Sequence, residues 1–149
     1  MNNRRISVAL FMAYCALMLW LLFDRPGYVP GIPYLEQLSQ HLNLVPLRTL
    51  RLFAGLLDSS RPEYVRAAVI NLGGNVIMFI PLGFLLPRVF PKLSSLPAVL
   101  LTTTASITAV EILQLLSLVG SCDIDDLILN LCGSALGFLL HRCTKKPAQ

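Results

Sequence analysis

The stretch that decides the fold is LPAVLLTTTASITAVEILQLLSLVG, residues 96–120. It contains one charged side chain, Glu111, and no lysine or arginine. A helix that crosses the hydrocarbon core of a bilayer needs about 20 mainly apolar residues, each rising about 1.5 Å. The stretch therefore predicts a membrane-spanning helix that carries one carboxyl group inside it.

Three further apolar runs predict spans on either side of this helix. Residues 6–23 and 67–86 contain no charge, and the shorter run 127–140 nearly spans if its helix begins near Asp123. A cleaved signal peptide is the alternative for the first run, but no A-x-A site follows it, so we expect an uncleaved anchor. We predict an all-α, polytopic four-helix transmembrane bundle forming a single domain over 1–149. The expected spans are about 6–23, 67–86, 96–120 and 123–140, with an extracytoplasmic segment at 24–66.

The composition agrees with a membrane protein. Of the 149 residues, 55% are hydrophobic and only 13% charged, against about 25% charged in soluble domains. The net charge of +4 comes without a lysine-rich tract or an aromatic RNA-binding motif, so we expect membrane lipid and no nucleic acid as partner. The four cysteines lack CxxC spacing, which predicts neither a disulfide framework nor a zinc site. We expect no cofactor.

The basic residues of the short connections predict the orientation. All of them fall on one side of the predicted bundle, and that side carries no acid. By the positive-inside rule it faces the cytoplasm, so we expect a multi-pass protein of the cytoplasmic (inner) membrane with both termini in the cytoplasm. These basic residues are Arg4, Arg5, Arg88, Lys92, Arg142, Lys145 and Lys146.

The outer segment 24–66 combines turns with one amphipathic helix. A cluster of turn residues begins it, at Pro26, Gly27, Pro30, Gly31 and Pro33. The sequence LRTLRLFAGLLD at 47–58 then places its apolar residues at helical spacing. This predicts either an interfacial helix on the outer leaflet or a lid packed over the bundle.

Glu111 is the most informative residue of the spans. A charge at the centre of a transmembrane helix costs at least ~2.5–3.5 kcal/mol, and Glu111 lies about 13 Å below the outer boundary by helix rise. We expect Gln114, Thr104 and Thr108 to share its helix face. Gly74, Gly133 and Gly137 are expected to let helices approach closely.

We predict one polar cluster on the extracytoplasmic side that binds a ligand. Two alternatives stay open: the aspartates cap the fourth helix, and the asparagines form interhelical hydrogen bonds. No G-x-S-x-G, Walker or H-E-x-x-H motif is present, so no catalytic residue is assigned, with Glu111 and Asp126 as weak candidates. The predicted cluster comprises Asn71, Asn75, Glu111, Gln114, Asp123, Asp125, Asp126 and Asn130.

Four motifs occur in the order found in a known family. They are NLVPLRTL at 43–50, NLGGNVIMFIPLGFLLP at 71–87, EILQ at 111–114 and DIDDLILNLCGSALGF at 123–138. In this the chain resembles the VanZ-like family of bacterial multi-pass membrane proteins, over roughly 43–142. The family often has an arginine shortly before the D-x-D-D run, where this chain has Gly120, Ser121 and Cys122. The matching motif positions are Asn71, Gly74, Asn75, Pro81, Gly83, Glu111, Gln114, Asp123, Asp125, Asp126, Asn130, Gly133 and Gly137.

The resemblance implies a role in antibiotic resistance, since the namesake is linked to resistance to the lipoglycopeptide teicoplanin. Three hypotheses follow. The first is a non-enzymatic protein that acts at the outer leaflet on a cell-surface lipid or lipophilic antibiotic, with Arg48, Arg51 or Arg66 attracting an anionic head group. The second is an intramembrane enzyme that uses Glu111 and Asp126 on a lipid-linked substrate. The third is a structural assembly subunit.

Overall fold

A computed structural model describes residues 2–24 and 27–144, and almost all of its regular structure is helical. The elements follow the chain in a simple order: α1 (Asn2–Phe23), α2 (Tyr34–Gln40), β1 (Leu42–Asn43), α3 (Arg48–Leu56), α4 (Pro62–Val89), α5 (Leu96–Ser117), β2 (Cys122–Asp123) and α6 (Ile124–Thr144). Among the described residues, α1, α4, α5 and α6 are the helices long and apolar enough to cross a membrane. The predicted all-α, four-span architecture is confirmed.

The bounds of the spans differ from those that hydropathy indicated: α1 already begins at Asn2, and α6 continues to Thr144. Helix α4 runs past the predicted 67–86 in both directions, beginning at Pro62 and continuing through Pro81 and Pro87. Helix α5 stops at Ser117 rather than Gly120, because Leu118 adopts a left-handed backbone with φ of 58°. The N–H groups of Leu118 and Val119 then donate back to carbonyls of the last turn of α5.

Helices α4 and α6 form the closest pair in the bundle. Gly83 lies against the backbone of Ser134, Gly133 against that of Val76 and Gly137 against that of Ile80. A Cβ at any of the three glycines would overlap the backbone of the other helix. This close approach is the use of small residues that membrane helices favour.

The other two spans attach to this pair by apolar packing and a few hydrogen bonds. The hydroxyl groups of Thr103 and Ser134 are 2.8 Å apart and join α5 to α6. The Tyr14 hydroxyl donates to the Met78 carbonyl at 3.0 Å and joins α1 to α4. At the far end of α1, Gln114 Nε2 of α5 donates to the Leu22 carbonyl at 2.7 Å.

The segment between α1 and α4 folds back onto the bundle. β1 pairs with β2 in parallel, with Leu42 opposite Cys122 and Asn43 opposite Asp123, and α3 packs against α4 and α6. The predicted amphipathic helix is therefore present and packed on the spans, whereas α2 and the two short strands were not predicted. Pro26 of the predicted turn cluster lies outside the described residues.

The helix directions give the bundle two chemically different ends. Asp123, Asp125 and Asp126 lie at one end, which we call the acidic end, and Arg88 and Arg142 lie at the other, the basic end. Lys145 and Lys146, which were part of the orientation argument, lie outside the described residues.

Candidate ligand-binding cavity

A cavity of about 570 Å³ lies between α1, α4, α5 and the first turns of α6. This volume is within the ~300–1,000 Å³ typical of small-molecule sites. Apolar side chains of α1, including Phe11 and Met18, form one wall, and Phe79 and Ile107 of α4 and α5 lie opposite. Met18, Phe79 and Ile107 also belong to one buried hydrophobic cluster, so the cavity is built into the core.

The cavity is polar at the acidic end and apolar at the basic end. Leu86, Phe90 and Leu93 line the basic end together with Phe11. On α5 alone the lining extends from Thr102 to Gln114, roughly 18 Å by helix rise. The polar lining residues of the acidic end are Asn75, Glu111, Gln114, Ser121, Asp126 and Asn130.

Hydrogen bonds fix several of these polar side chains. Asn75 Nδ2 donates to Asp126 Oδ1 at 2.6 Å, and the Cys122 thiol donates to Glu111 Oε2 at 3.8 Å. Asn130 is 6% exposed, and its Oδ1 has no hydrogen-bond partner among the described residues. Because a buried acceptor without a donor is costly, the Asn130 amide marks a position where a donor from outside the chain would be favourable.

The comparisons with known proteins agree with the motifs. The model of the VanZ/LLP1 family matches residues 11–145. The chain belongs to the VanZ/LLP1 family. It is 30% identical over 142 residues to Protein VanZ of Enterococcus faecium, an alignment that covers 95% of this chain and 76% of that protein. No solved structure gives a significant match.

In this VanZ-family chain, the other two aspartates of the D-x-D-D run bind the segment between α1 and α4 and do not line the cavity. Asp125 is fully buried and accepts the backbone N–H groups of Leu47 at 2.6 Å and Leu50 at 3.0 Å. Leu47 is the residue just before α3 and Leu50 lies in its first turn, so Asp125 caps that helix from α6.

Asp123 has a double role. Its Oδ2 accepts the Thr49 hydroxyl at 2.5 Å and Asn43 Nδ2 at 3.1 Å. Its Oδ1 accepts the N–H of Asp125 at 2.9 Å, so Asp123 also caps α6, as the capping alternative foresaw.

The expected single cluster is thus two separate groups. Asn75, Glu111, Gln114, Asp126 and Asn130 line the cavity, whereas Asp123 and Asp125 bind residues 43–50. Asn71 lies in neither group, and its buried Oδ1 has no hydrogen-bond partner among the described residues.

Several expectations about helix faces were wrong. Thr104 and Thr108 do not line the cavity, which Thr102 and Ser106 line instead; the Thr104 hydroxyl donates to the Leu100 carbonyl within its own helix. Gly74, expected at a helix crossing, faces open space, and Gly83 takes part in the α4–α6 contact instead. Counting helical spacing back from Glu111 thus selected a face of α5 that is rotated from the face that lines the cavity.

Some residues of the site were not predicted. Asn43 and Thr49, which bind Asp123, lie inside the NLVPLRTL motif, so the motif was the signal that marked them. The apolar lining from α1 had no signal beyond hydropathy. Cys122 was assigned no role beyond the absence of a disulfide or zinc pattern, whereas burial first, and then the nearby Glu111 carboxylate, raise the pKa of its thiol.

Among the described residues, Arg88 makes three contacts at the basic end of the bundle. Arg88 Nε donates to His141 Nδ1 at 3.3 Å and Arg88 Nη2 to the Thr144 hydroxyl at 2.9 Å, while its guanidinium lies 3.9 Å from the centre of the Phe84 ring. His141 is buried there. These contacts join the end of α4 to the end of α6.

The arrangement is suited to binding. An apolar cavity with convergent polar groups at one end matches an amphipathic molecule. Glu111 and Asp126 place two carboxyl groups at this polar end. The described residues also contain no group of three histidine, cysteine or acidic side chains that could hold a metal.

Proposed function

We propose that this protein binds the acyl chain and adjoining head of an amphipathic cell-envelope lipid or lipophilic glycopeptide antibiotic, and that this binding underlies a resistance role. The single observation that carries the proposal is the cavity of about 570 Å³ with an apolar basic end and a polar acidic end. The proposed role is binding without chemistry, because an apolar cavity with a few convergent polar groups provides what a ligand site requires.

The proposal includes the orientation. Arg88 lies in the last turn of α4 and Lys92 between α4 and α5, both at the basic end, and basic residues in and beside short connections favour the cytoplasm. The protein then lies in the cytoplasmic membrane with both termini in the cytoplasm. The acidic end, and with it the polar part of the cavity, faces the outer leaflet, where a lipoglycopeptide arrives.

The test is direct binding with one wall of the cavity altered. Val110 lines the cavity, and Ile112 of the same helix is 47% exposed and does not. Val110→Trp fills the cavity and Ile112→Trp is the matched control. Purified proteins in nanodiscs are titrated with fluorescently labelled teicoplanin, and thermal unfolding verifies that each variant is folded.

We expect wild type and Ile112→Trp to bind alike and Val110→Trp to bind at least about tenfold more weakly, which corresponds to about 1.4 kcal/mol. A glycopeptide without an acyl chain should bind the three proteins with similar affinity. Equal teicoplanin affinity for folded wild type and Val110→Trp would refute the proposal.

A second candidate function rests on the fact that Glu111 and Asp126 line the same cavity. Two carboxyl groups at one substrate site are the arrangement that general acid–base catalysis uses. An intramembrane enzyme predicts that Glu111→Gln changes the lipid profile of cells that express the protein. An unchanged profile together with normal teicoplanin binding would eliminate the enzyme and leave the binding protein.

A further inference from the structure

Hydrogen-bond acceptors dominate the polar end of the cavity. Glu111 and Asp126 contribute carboxyl oxygens, and Asn130 contributes an Oδ1 that has no hydrogen-bond partner among the described residues. Asn130 is 6% exposed, so this oxygen is shielded from bulk water. Three acceptor side chains therefore meet at one end of one cavity.

Two of the amide groups at this end each use one of their two N–H donors within the protein. Asn75 Nδ2 donates to Asp126 Oδ1 at 2.6 Å. Gln114 Nε2 donates to the Leu22 carbonyl at 2.7 Å. Asn130 Nδ2 and the Ser121 hydroxyl also line this end, so hydrogen bonding alone does not exclude an acceptor, and the charge of the lining decides which head group is preferred.

The charge of the lining points in the same direction. The cavity-lining residues that the structure describes include two carboxyl groups and no lysine or arginine. Arg48 and Arg51 of α3, which the sequence suggested as attractors for an anion, are exposed and do not line the cavity. A phosphate at this end would thus face two carboxyl groups without a cation in the lining, and burying such like charges together is unfavourable.

We infer that the cavity is selective for amphiphiles whose head carries a primary amine, bound as the ammonium between Glu111, Asp126 and Asn130. A primary ammonium has three N–H donors and one positive charge, which match the acceptors and compensate the carboxylates in a site of low dielectric constant. The inference rests on the proposed function, since the amine must be attached to a chain that the cavity holds.

Four probes with the same alkyl chain separate charge from hydrogen bonding: dodecylamine, dodecyltrimethylammonium, dodecanol and dodecyl phosphate. Each displaces a fluorescent fatty-acyl probe from the protein in zwitterionic nanodiscs. The Val110→Trp protein in identical nanodiscs provides the blank for partition into the lipid. We expect dodecylamine to bind at least about tenfold more tightly than dodecyl phosphate, with the other two between them.

Two substitutions at the polar end should change these ratios in opposite directions. Glu111→Gln removes a negative charge and should reduce the preference for dodecylamine over dodecyl phosphate about tenfold. Asn130→Asp adds a carboxylate at the same place and should increase that preference. Asn130→Leu, which removes the acceptor, should reduce the preference for dodecylamine over dodecyltrimethylammonium.

The outcomes separate this inference from the proposed function. If no dodecyl compound displaces the acyl probe from wild type more than from Val110→Trp, the cavity does not hold alkyl chains and the proposed function fails. If all four bind alike, or dodecyl phosphate binds most tightly, the cavity holds chains and the amine selectivity alone is refuted. If Glu111→Gln does not fold, the Asn130→Asp ratio decides.

Discussion

Glu111 illustrates how a membrane protein accommodates an acid within a span. The side chain is 8% exposed and lines a cavity. The described residues of that lining include no lysine or arginine that could pair with it. Its described hydrogen bond comes from the Cys122 thiol, a weak donor. Acids placed in this way in membrane helices usually mark a functional site.

The Cys122 thiol reports on the charge of Glu111. Burial and the Glu111 carboxylate both disfavour the thiolate and so raise the pKa of the thiol above its ordinary value. Glu111→Gln removes the carboxylate contribution, so the thiol pKa should fall and alkylation by N-ethylmaleimide should reach half its maximal rate at a lower pH.

The measurement uses a protein in which Cys122 is the single cysteine. Glu36→Gln, a neutralised acid on the exposed face of α2, is the control. A Glu111→Gln profile that coincides with those of the control and the parent would show that the carboxylate does not influence the thiol.

Among the elements, α3 depends most on a single distant residue. Asp125 accepts two backbone N–H groups at the start of α3, from Leu47 and Leu50, and α3 has no buried residue of its own. Asp125→Asn loses the charge and turns an amide group toward those donors, so each capping bond should weaken at a cost of about 1–3 kcal/mol. Hydrogen exchange at Leu47 and Leu50 should accelerate selectively.

The exchange experiment has a control in the same segment. Asp58 is exposed and lies just beyond the end of α3, so Asp58→Asn should leave both amides as protected as in wild type. Uniform acceleration across α4 and α6 with Asp125→Asn would instead mean that Asp125 stabilises the whole bundle and not this one helix.

The contact between α4 and α6 makes opposite predictions for two glycines. Gly133→Leu inserts a side chain where the backbone of Val76 lies, so it should destabilise the protein by about 1–3 kcal/mol or more. Gly74→Ala meets open space, and alanine is favoured over glycine inside a helix by about 0.5–1 kcal/mol. The thermal unfolding temperature in detergent should fall sharply for Gly133→Leu, and it should stay the same or rise for Gly74→Ala.

Comparing the activity of Gly133→Leu with that of Glu111→Gln distinguishes the binding hypothesis from the assembly hypothesis. In the assembly hypothesis Gly133→Leu abolishes function while Glu111→Gln retains it. A Gly133→Leu protein as stable as wild type would contradict the helix contact itself.

At the level of elements, hydropathy was sufficient to predict the spans. Long apolar runs have few alternatives in a bilayer, so α1, α4, α5 and α6 followed from composition. The ends of α4 and α5 did not, because Pro62 begins a helix among polar residues and Leu118 takes a left-handed conformation without being glycine. β1 and β2 escaped prediction because two-residue strands that pair across most of the chain have no local pattern.

For the whole molecule, the orientation is the first property to test. In a cysteine-free protein, Ser60→Cys and Ser94→Cys place exposed thiols before α4 and between α4 and α5. A membrane-impermeant maleimide should label Ser60→Cys in intact cells and Ser94→Cys only after permeabilisation, since we place the acidic end outside. The reverse pattern would invert the proposed topology and direct the polar end of the cavity to the cytoplasm.

The candidate site was predictable in part. Because burying a carboxyl group without polar partners is costly, the sequence pointed to polar residues of the neighbouring spans. Those predicted residues that do line the cavity with Glu111 are Asn75, Gln114, Asp126 and Asn130. The same reasoning did not separate Asp125 from Asp126, although adjacent residues on a helix point about 100° apart. The cavity itself was unpredictable, because it arises where helices fail to touch, and sequence patterns indicate only where they do.

Helix α1 is the least enclosed of the spans: 11% of its most apolar window is buried inside the protein, against 39% for α6. It still provides a wall of the cavity, so an alkyl chain lodged there would give α1 a neighbour that the polypeptide does not supply. Occupancy would therefore register as a rise in melting temperature with ligand concentration. Amide exchange along Phe11–Leu22 would slow more than elsewhere, which makes the first helix the place to look for an unknown cargo.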